Sequence, residues 1–208
     1  ARAYRNIVGL CVGTRPDCVS DAVLDLLSGY REEGVEIWLE LGLQTSNDKT
    51  LKRINRGHGW AEYEQVCVKA RALGIKVCTH LIVGLPGEGW QEHQDTIDAV
   101  VGLGVDGIKL HPLHLVQGSI MAKSYHAGKI MPLTLDEYVA AAVMMIQRTP
   151  AEVVYHRVSA TARKPTLLAP AWCEDRWRGI IAVAQGLAAS GGQGCQTDRP
   201  YLPNPASM

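Results

Sequence analysis

Four stretches of this chain, Asn6 to Arg15, Val35 to Gln44, Ile75 to Gly84 and Val105 to His111, are apolar runs that hold or end on polar residues. Their length and content suit buried β-strands, along which side chains alternate between two faces. Sorted that way, one face carries Val8, Leu10 and Val12, then Leu39, Leu41 and Leu43, then Val77, Leu81 and Val83, then Ile108 and Leu110. The other carries Gly9, Cys11, Gly13 and Arg15, then Glu40, Gly42 and Gln44, then Cys78, His80 and Gly84, then Lys109 and His111. The first face calls for helices packed on it. The second is small and polar, the expected lining of a ligand chamber.

Helix signals separate the strands. Ser20 is placed to cap a helix carrying Val23, Leu24, Leu26 and Leu27, and Asn47-Asp48 to start a short helix ending near Asn55. Ala61 to Leu73 stops at Gly74, and a further helix runs from Trp90 to Val101. Strand starts therefore recur about every 30 to 40 residues with helix between them, the rhythm of a parallel sheet with right-handed crossovers. Beyond His111 the rhythm loosens. Thr134-Leu-Asp-Glu137 reads as a capping box opening a helix through Ile146, Glu152 to Val158 as a strand, and Trp172 to Ala189 as a helix. The segment from Ser190 onward, rich in Gly and Pro, reads as a flexible tail. In parallel α/β folds ligands sit beyond the C-terminal ends of the strands, where most of the polar residues fall, so one pocket is expected there.

Composition narrows this picture without redirecting it. The 208 residues are 47% hydrophobic and 20% charged, with zero formal net charge. That lacks the overall basic footprint of a duplex-binding protein and leaves a local basic patch open. No apolar run reaches membrane-spanning length and nothing at the start resembles a signal segment, so a soluble, cytoplasmic protein is expected. The six cysteines, at 11, 18, 67, 78, 173 and 195, have no close-ligand spacing and lie mostly in apolar elements. Buried thiols in a reducing compartment are the expectation. Because the chain opens at Ala1 and enters a strand almost at once, it reads as a fragment of a longer protein.

Several residues carry candidate chemistry. Gln44 closes its strand and Arg56 follows after one short helix, so both can reach one rim, where an amide and a guanidinium can hold a carboxylate or a ribose. The plainer alternative has Gln44 capping the helix and Arg56 pairing with a surface acid. Gly84-Leu-Pro-Gly-Glu88 leads from strand to helix and is either an anion-tolerant approach or only a turn. Glu40 should point into the chamber and needs a partner, with Lys109, Arg15 or His80 available. His80, His111 and His114 together raise a zinc hypothesis and, with it, a metal hydrolase, although His111 and His114 stand at odd spacing. His156-Arg157 with Arg163 and Lys164 is a small basic cluster that either meets an anionic substrate or is a solvated edge.

Taken together, Gly13-Thr-Arg-Pro-Asp17, Leu39-Glu-Leu-Gly-Leu-Gln-Thr45, Leu51 to His58, His80 to Glu88 and Gly107 to His111 resemble the radical S-adenosylmethionine (radical SAM) superfamily. The likeness is nearest to uncharacterised bacterial members with an Elongator-catalytic-subunit/MiaB/NifB-type core, and more distant to oxygen-independent coproporphyrinogen oxidases. It extends over residues 6–180. It implies a partial (β/α)6 TIM-like barrel lacking its N-terminal βα units, with residues 1–130 as barrel, 131–189 as a small C-terminal α/β extension and 190–208 as tail. It also implies two cofactors, S-adenosylmethionine and a [4Fe-4S] cluster. The cluster would reduce S-adenosylmethionine, yielding a 5′-deoxyadenosyl radical that takes a hydrogen atom from an unknown substrate.

By this resemblance Gln44 and Arg56 match positions that hold the cofactor, and the Gly84 turn matches a segment near its adenine. His80 stands about where relatives place an acidic contact. Glu40, Thr14 and Arg15 are expected as further cofactor neighbours, with Lys109 and His111 on the substrate side. Gly13 stands where the porphyrin enzymes have a glutamate, so that contact is lost or comes from Glu40 or Arg15. The cluster motif C-x3-C-x2-C is absent from this sequence. The expectation is that its cysteines lie upstream, that the chain as given is inactive, and that a reducing partner such as flavodoxin serves the whole enzyme. A homologue that lost its cluster and became a non-catalytic scaffold is the alternative. Substrate is open between a small molecule and RNA.

Overall fold

The computed structural model describes residues 7–205. Its strands are β1 (Gly9–Thr14), β2 (Glu36–Gln44), β3 (Lys76–Val83), β4 (Gly107–Pro112), β5 (Leu115–Val116), β6 (Val154–Arg157) and β7 (Leu167–Ala169). Five of them form one sheet in the order β1-β2-β3-β4-β6, every neighbouring pair parallel, while β5 and β7 pair antiparallel. The connections carry α1 (Asp21–Glu32), α2 (Asp48–Arg53), α3 (Trp60–Ala72), α4 (Trp90–Gly102), α5 (Ile120–His126) and α6 (Leu135–Gln147), and α7 (Arg176–Ala189) follows β7. The helix starts obey their sequence signals. Ser20 accepts from the Val23 N–H, Asn47 from those of Lys49 and Thr50, and Thr134 and Glu137 complete a capping box. Each such cap is worth about 1 kcal/mol.

Strand alternation decides where the core sits. Leu39, Leu41, Leu43, Val77, Val83, Ile108 and Leu110 are fully buried in one cluster with residues of α1, α3, α4 and α6. Burying each of these side chains contributes roughly 1.5 to 3 kcal/mol. Two buried tyrosines tie that layer to polar partners: the Tyr63 hydroxyl lies 2.6 Å from Thr79 Oγ1, and the Tyr138 hydroxyl donates to the Val158 carbonyl at 2.7 Å. β6 extends the same parallel sheet beside β4, with α6 between them in sequence.

Three expectations are corrected. Val8 precedes β1 and is 86% exposed, so it adds nothing to the packed face. The helix read over Trp172 to Ala189 is interrupted, because a 3-10 turn covers Ala171–Glu174 and Asp175 turns extended to cap α7. An Asp carboxylate that can accept the Trp177 N–H favours starting a helix over continuing one. The third correction concerns the tail. Its amides at Gly194 and Gln196 donate to the carbonyls of Ile146 and Gln147, and the Gln193 side chain donates to those of Pro150 and Val153. Residues 206–208 of the expected tail lie outside the described residues.

The segment continues beneath the N-terminal ends of the strands. There Asp106 accepts from the Val77 N–H at 2.9 Å and meets Arg71 at 3.4 Å, both side chains being buried. Arg71 also donates to the carbonyls of Leu202 and Pro203, and Asn204, 4% exposed, donates to the Ile75 carbonyl. Higher on the polar face, the Trp38 ring reaches Gly107 and meets His156 edge-on at 4.5 Å. A Cβ at Gly107 would stand 2.9 Å from Trp38 and 2.8 Å from His156, so only glycine lets the two rings meet across β4.

Candidate active site

The mouth of the sheet is shaped by an irregularity in β2. Gly42 pairs with His80, but Gln44 pairs with Leu81, leaving Leu43 as an extra residue. Gln44 consequently takes φ +82, uncommon for a residue with a side chain. A Cβ on Gly42 would lie 2.6 Å from Arg56 Nη2 and 2.9 Å from Gln44 Nε2, so the amide and the guanidinium converge over that glycine. Arg56 Nη2 donates to the Gly42 carbonyl at 2.6 Å, and Nε donates to His58 Nε2 at 2.9 Å. His58 Nε2 also lies 3.1 Å from the Gly42 carbonyl, and its Nδ1 faces the Gly59 carbonyl at 3.3 Å.

Arg56 has no carboxylate partner among the described residues, and Asn47, not Gln44, caps α2. Both parts of the plainer alternative therefore fail. Burial, followed by the nearby Arg15 charge, lowers the Arg56 pKa from its ordinary value.

Deeper in the chamber Glu40 takes two of its three offered partners. Its Oε2 accepts from Lys109 Nζ at 2.5 Å and from His80 Nε2 at 2.9 Å. Burial pushes the Glu40 carboxyl upward, but the bonds from Lys109 and then His80 outweigh it and leave the pKa lowered. Burial lowers the pKa of His80, against the hydrogen bond to Glu40. His80 stacks on His111 at 5.6 Å between ring centres. The Nε2 of His111 is buried without a partner among the described residues, and burial followed by the Arg157 charge lowers its pKa to about 4. His111 thus presents a neutral imidazole at neutral pH.

The remaining expected residues are placed otherwise. Arg15 sits at the rim and makes a two-pronged bond to Asp17, at 2.6 and 3.0 Å, with half of its side chain exposed. Thr14 pairs in register with Leu41 and so shares the helix-packed face, away from the chamber. His114 lies past the end of β4 with a buried, unpartnered Nε2 of its own. Among the described residues no three His, Cys, Asp or Glu are placed to share a metal ion, which overturns the zinc triad of His80, His111 and His114. β4 ends at Pro112 and the chain leaves its line toward β5, so spacing along an ideal strand no longer applies.

Sequence reasoning missed the brace behind the mouth. Thr45 donates to Glu88 at 2.6 Å and lies 3.2 Å from Thr96 Oγ1, while Gly84, at φ +92, donates its N–H to His93 Nε2 at 3.3 Å. Arg53 donates to the Pro86 carbonyl. Burial raises the Glu88 pKa against the bonds from Thr45 and Thr50. These contacts fasten the Gly84-Leu-Pro-Gly turn to the exit of β2. The available signal was Thr45 itself, directly after Gln44.

The model of the Radical SAM superfamily matches residues 1–100, and that of the Radical SAM C-terminal domain matches residues 105–188. The chain belongs to the radical SAM superfamily. It is 61% identical over 203 residues to Protein YhcC of Escherichia coli strain K12, covering 98% of this chain and 66% of that protein. It is 37% identical to the uncharacterized protein YtqA of Bacillus subtilis strain 168, covering 91% of this chain and 58% of that one. The chain thus spans no more than about two thirds of these relatives.

Among solved structures, the Elp3 of the archaeon Methanocaldococcus infernus superposes with TM-score 0.68 at 20% identity, over 86% of this chain and 41% of that one. That match establishes the fold, the expected partial radical SAM barrel. Members of the superfamily bind S-adenosylmethionine and a [4Fe-4S] cluster. No helix of the described radical SAM chain is long and apolar enough to cross a membrane.

Proposed function

We propose that this chain forms the cofactor and substrate wall of a radical SAM enzyme, with S-adenosylmethionine held at the mouth by Gln44 and Arg56. The observation that carries this reading is the half-buried Arg56 guanidinium without a carboxylate partner, fixed beside the Gln44 amide over a glycine. A guanidinium fork suits the carboxylate of an amino-acid cofactor, and an amide suits a ribose or amine. When bound, the cofactor supplies the 5′-deoxyadenosyl group for hydrogen abstraction.

The chain's own residues orient and shield. Glu40 matches the Lys109 charge, so that pair offers the chamber a neutral wall, and the unpartnered His111 Nε2 faces the substrate side. The cluster, by contrast, does not fit the residues present. Cys67, Cys78 and Cys173 are buried apart from the exposed Cys11, Cys18 and Cys195, and no three of them converge. The cluster's ligands and the reducing partner would come from outside this chain.

Calorimetric titration with S-adenosylmethionine tests the reading. The chain should bind it, and Arg56→Ala or Gln44→Ala should weaken binding about tenfold or more, a loss of at least about 1.4 kcal/mol. Absence of binding, or equal affinity in both variants, rejects the assignment. Binding without any 5′-deoxyadenosine from the full-length protein, reconstituted anaerobically with iron and sulfide, would instead favour a non-catalytic scaffold.

A further inference from the structure

A cavity of about 790 Å³ opens between β6, the loop after it and the first turns of α7. His156, Arg157, Arg163 and Arg176 line it, together with Ser159 and Thr161, and no acidic side chain does. None of the three arginines has a carboxylate partner among the described residues. The acids adjoining the cleft in sequence are occupied: Glu174 meets Lys164 at 3.2 Å, and Asp175 caps α7. Arg176 lies over the Trp177 ring at 5.2 Å.

The wall that carries these charges is fastened. The Val158 carbonyl accepts from Tyr138, the Ala162 N–H donates to the Cys173 carbonyl, and the Arg163 carbonyl accepts from the Leu167 N–H. The loop seats directly on α7 because Gly179 has no side chain; a Cβ there would come within 2.4 Å of Ser159 Oγ. Three guanidinium groups that line one cleft, without a carboxylate partner among the described residues, give it a positive potential that a dianion or polyanion would match.

We propose that this cleft binds the phosphate or pyrophosphate group of a small phosphorylated ligand. A single carboxylate would need only one guanidinium, whereas three suit a multiply charged group. The volume fits a small molecule, and zero net charge argues against a long nucleic-acid track. The cleft also adjoins the chamber, since Arg157 pairs in register with Lys109 and its charge reaches His111 and His80. The group bound here would therefore be the anionic handle of the substrate. That last link rests on the function proposed above; anion binding by the cleft does not.

Calorimetry with inorganic pyrophosphate on the chain tests the proposal. Wild type should bind, more weakly as salt rises, and Arg157→Gln combined with Arg163→Gln should weaken binding about tenfold or more, with the thermal midpoint unchanged. Lys123→Gln, an exposed position outside the cleft, should bind as wild type does. No binding at millimolar pyrophosphate, or equal binding by the double variant, overturns the site. A single-stranded oligoribonucleotide that binds through the same arginines far more tightly than pyrophosphate would overturn the small-ligand assignment in favour of a nucleic-acid surface. The double variant should keep its affinity for S-adenosylmethionine. A chain that binds pyrophosphate but no S-adenosylmethionine would retain the cleft and reject only the proposed function.

Discussion

At the N-terminal end of the sheet Asp106 is shared by the Val77 amide and the Arg71 guanidinium, and Arg71 spends its other donors on the carbonyls of Leu202 and Pro203. At the C-terminal end, among the described residues, the Nε2 of His111 is buried without a partner, Arg56 has no carboxylate partner and Gln44 takes a left-handed backbone conformation. Both ends bury polar groups. At the floor every one of these groups is answered by another part of the chain, as stability demands. At the mouth some are left open, and unanswered polarity held in place by a rigid brace is what a ligand site requires.

The largest break in that contrast should come at the floor. Asp106→Ala leaves the buried Arg71 uncompensated and should lower unfolding free energy by about 3 to 5 kcal/mol in urea; a loss below about 1 kcal/mol would show that the floor is not the better satisfied end. Acid should find the mouth next. An imidazole in the unfolded chain takes its proton near pH 6.5, whereas burial lowers His111 to about 4. Between those values protonation favours the unfolded chain, so this contribution is intact above pH 6.5 and lost as pH falls toward 4. His80, His93 and His114, also lowered by burial, act in the same direction. His111→Asn should flatten the decline by roughly 2 to 3 kcal/mol at pH 4; an unaltered acid profile would sever His111 from it.

Smaller effects separate binding from folding. Arg56→Lys keeps the charge but loses the fork, so S-adenosylmethionine affinity should fall about tenfold while the urea midpoint barely moves. A variant that instead unfolds would make the mouth as structural as the floor. The smallest effect is expected from Gly42→Ala. Its methyl group displaces only the tips of Arg56 and Gln44, so stability should change by less than about 1 kcal/mol while affinity falls severalfold. Unchanged affinity in calorimetry would detach Gly42 from the cofactor site.

Much of the sheet was legible because the periods of strand and helix are local properties. Leu39, Leu41 and Leu43 sort correctly by alternation, and Ser20, Asn47 and Thr134 start their helices as their side chains dictate. Glu40 with Lys109 and His80 followed from placing one carboxylate on a small-residue face. What was not legible has local and non-local causes. Arg15 is captured by Asp17 two residues away, a competition that strand alternation does not weigh. Thr14 falls on the wrong parity, and His114 lies beyond the strand that would have aligned it. The bulge at Leu43 inserts a residue no alternating pattern announces. The tail's bonds join residues far apart in sequence, 40 positions for Gln193 with Val153 and 129 for Asn204 with Ile75, and nothing nearby in sequence signals such closure.

The glycine at 107 also gives the molecule an optical reporter. By letting Trp38 touch His156, it couples one of five indoles to an imidazole that lines the basic cleft. A protonated imidazole quenches indole emission, so the brightness of Trp38 is expected to follow the charge on His156. An anion settling among the cleft's arginines favours that charge and should dim the signal. Occupancy of the cleft should thus be readable by fluorescence without an added dye, with Trp38→Tyr as the dark reference; emission that does not change with pyrophosphate would break this link.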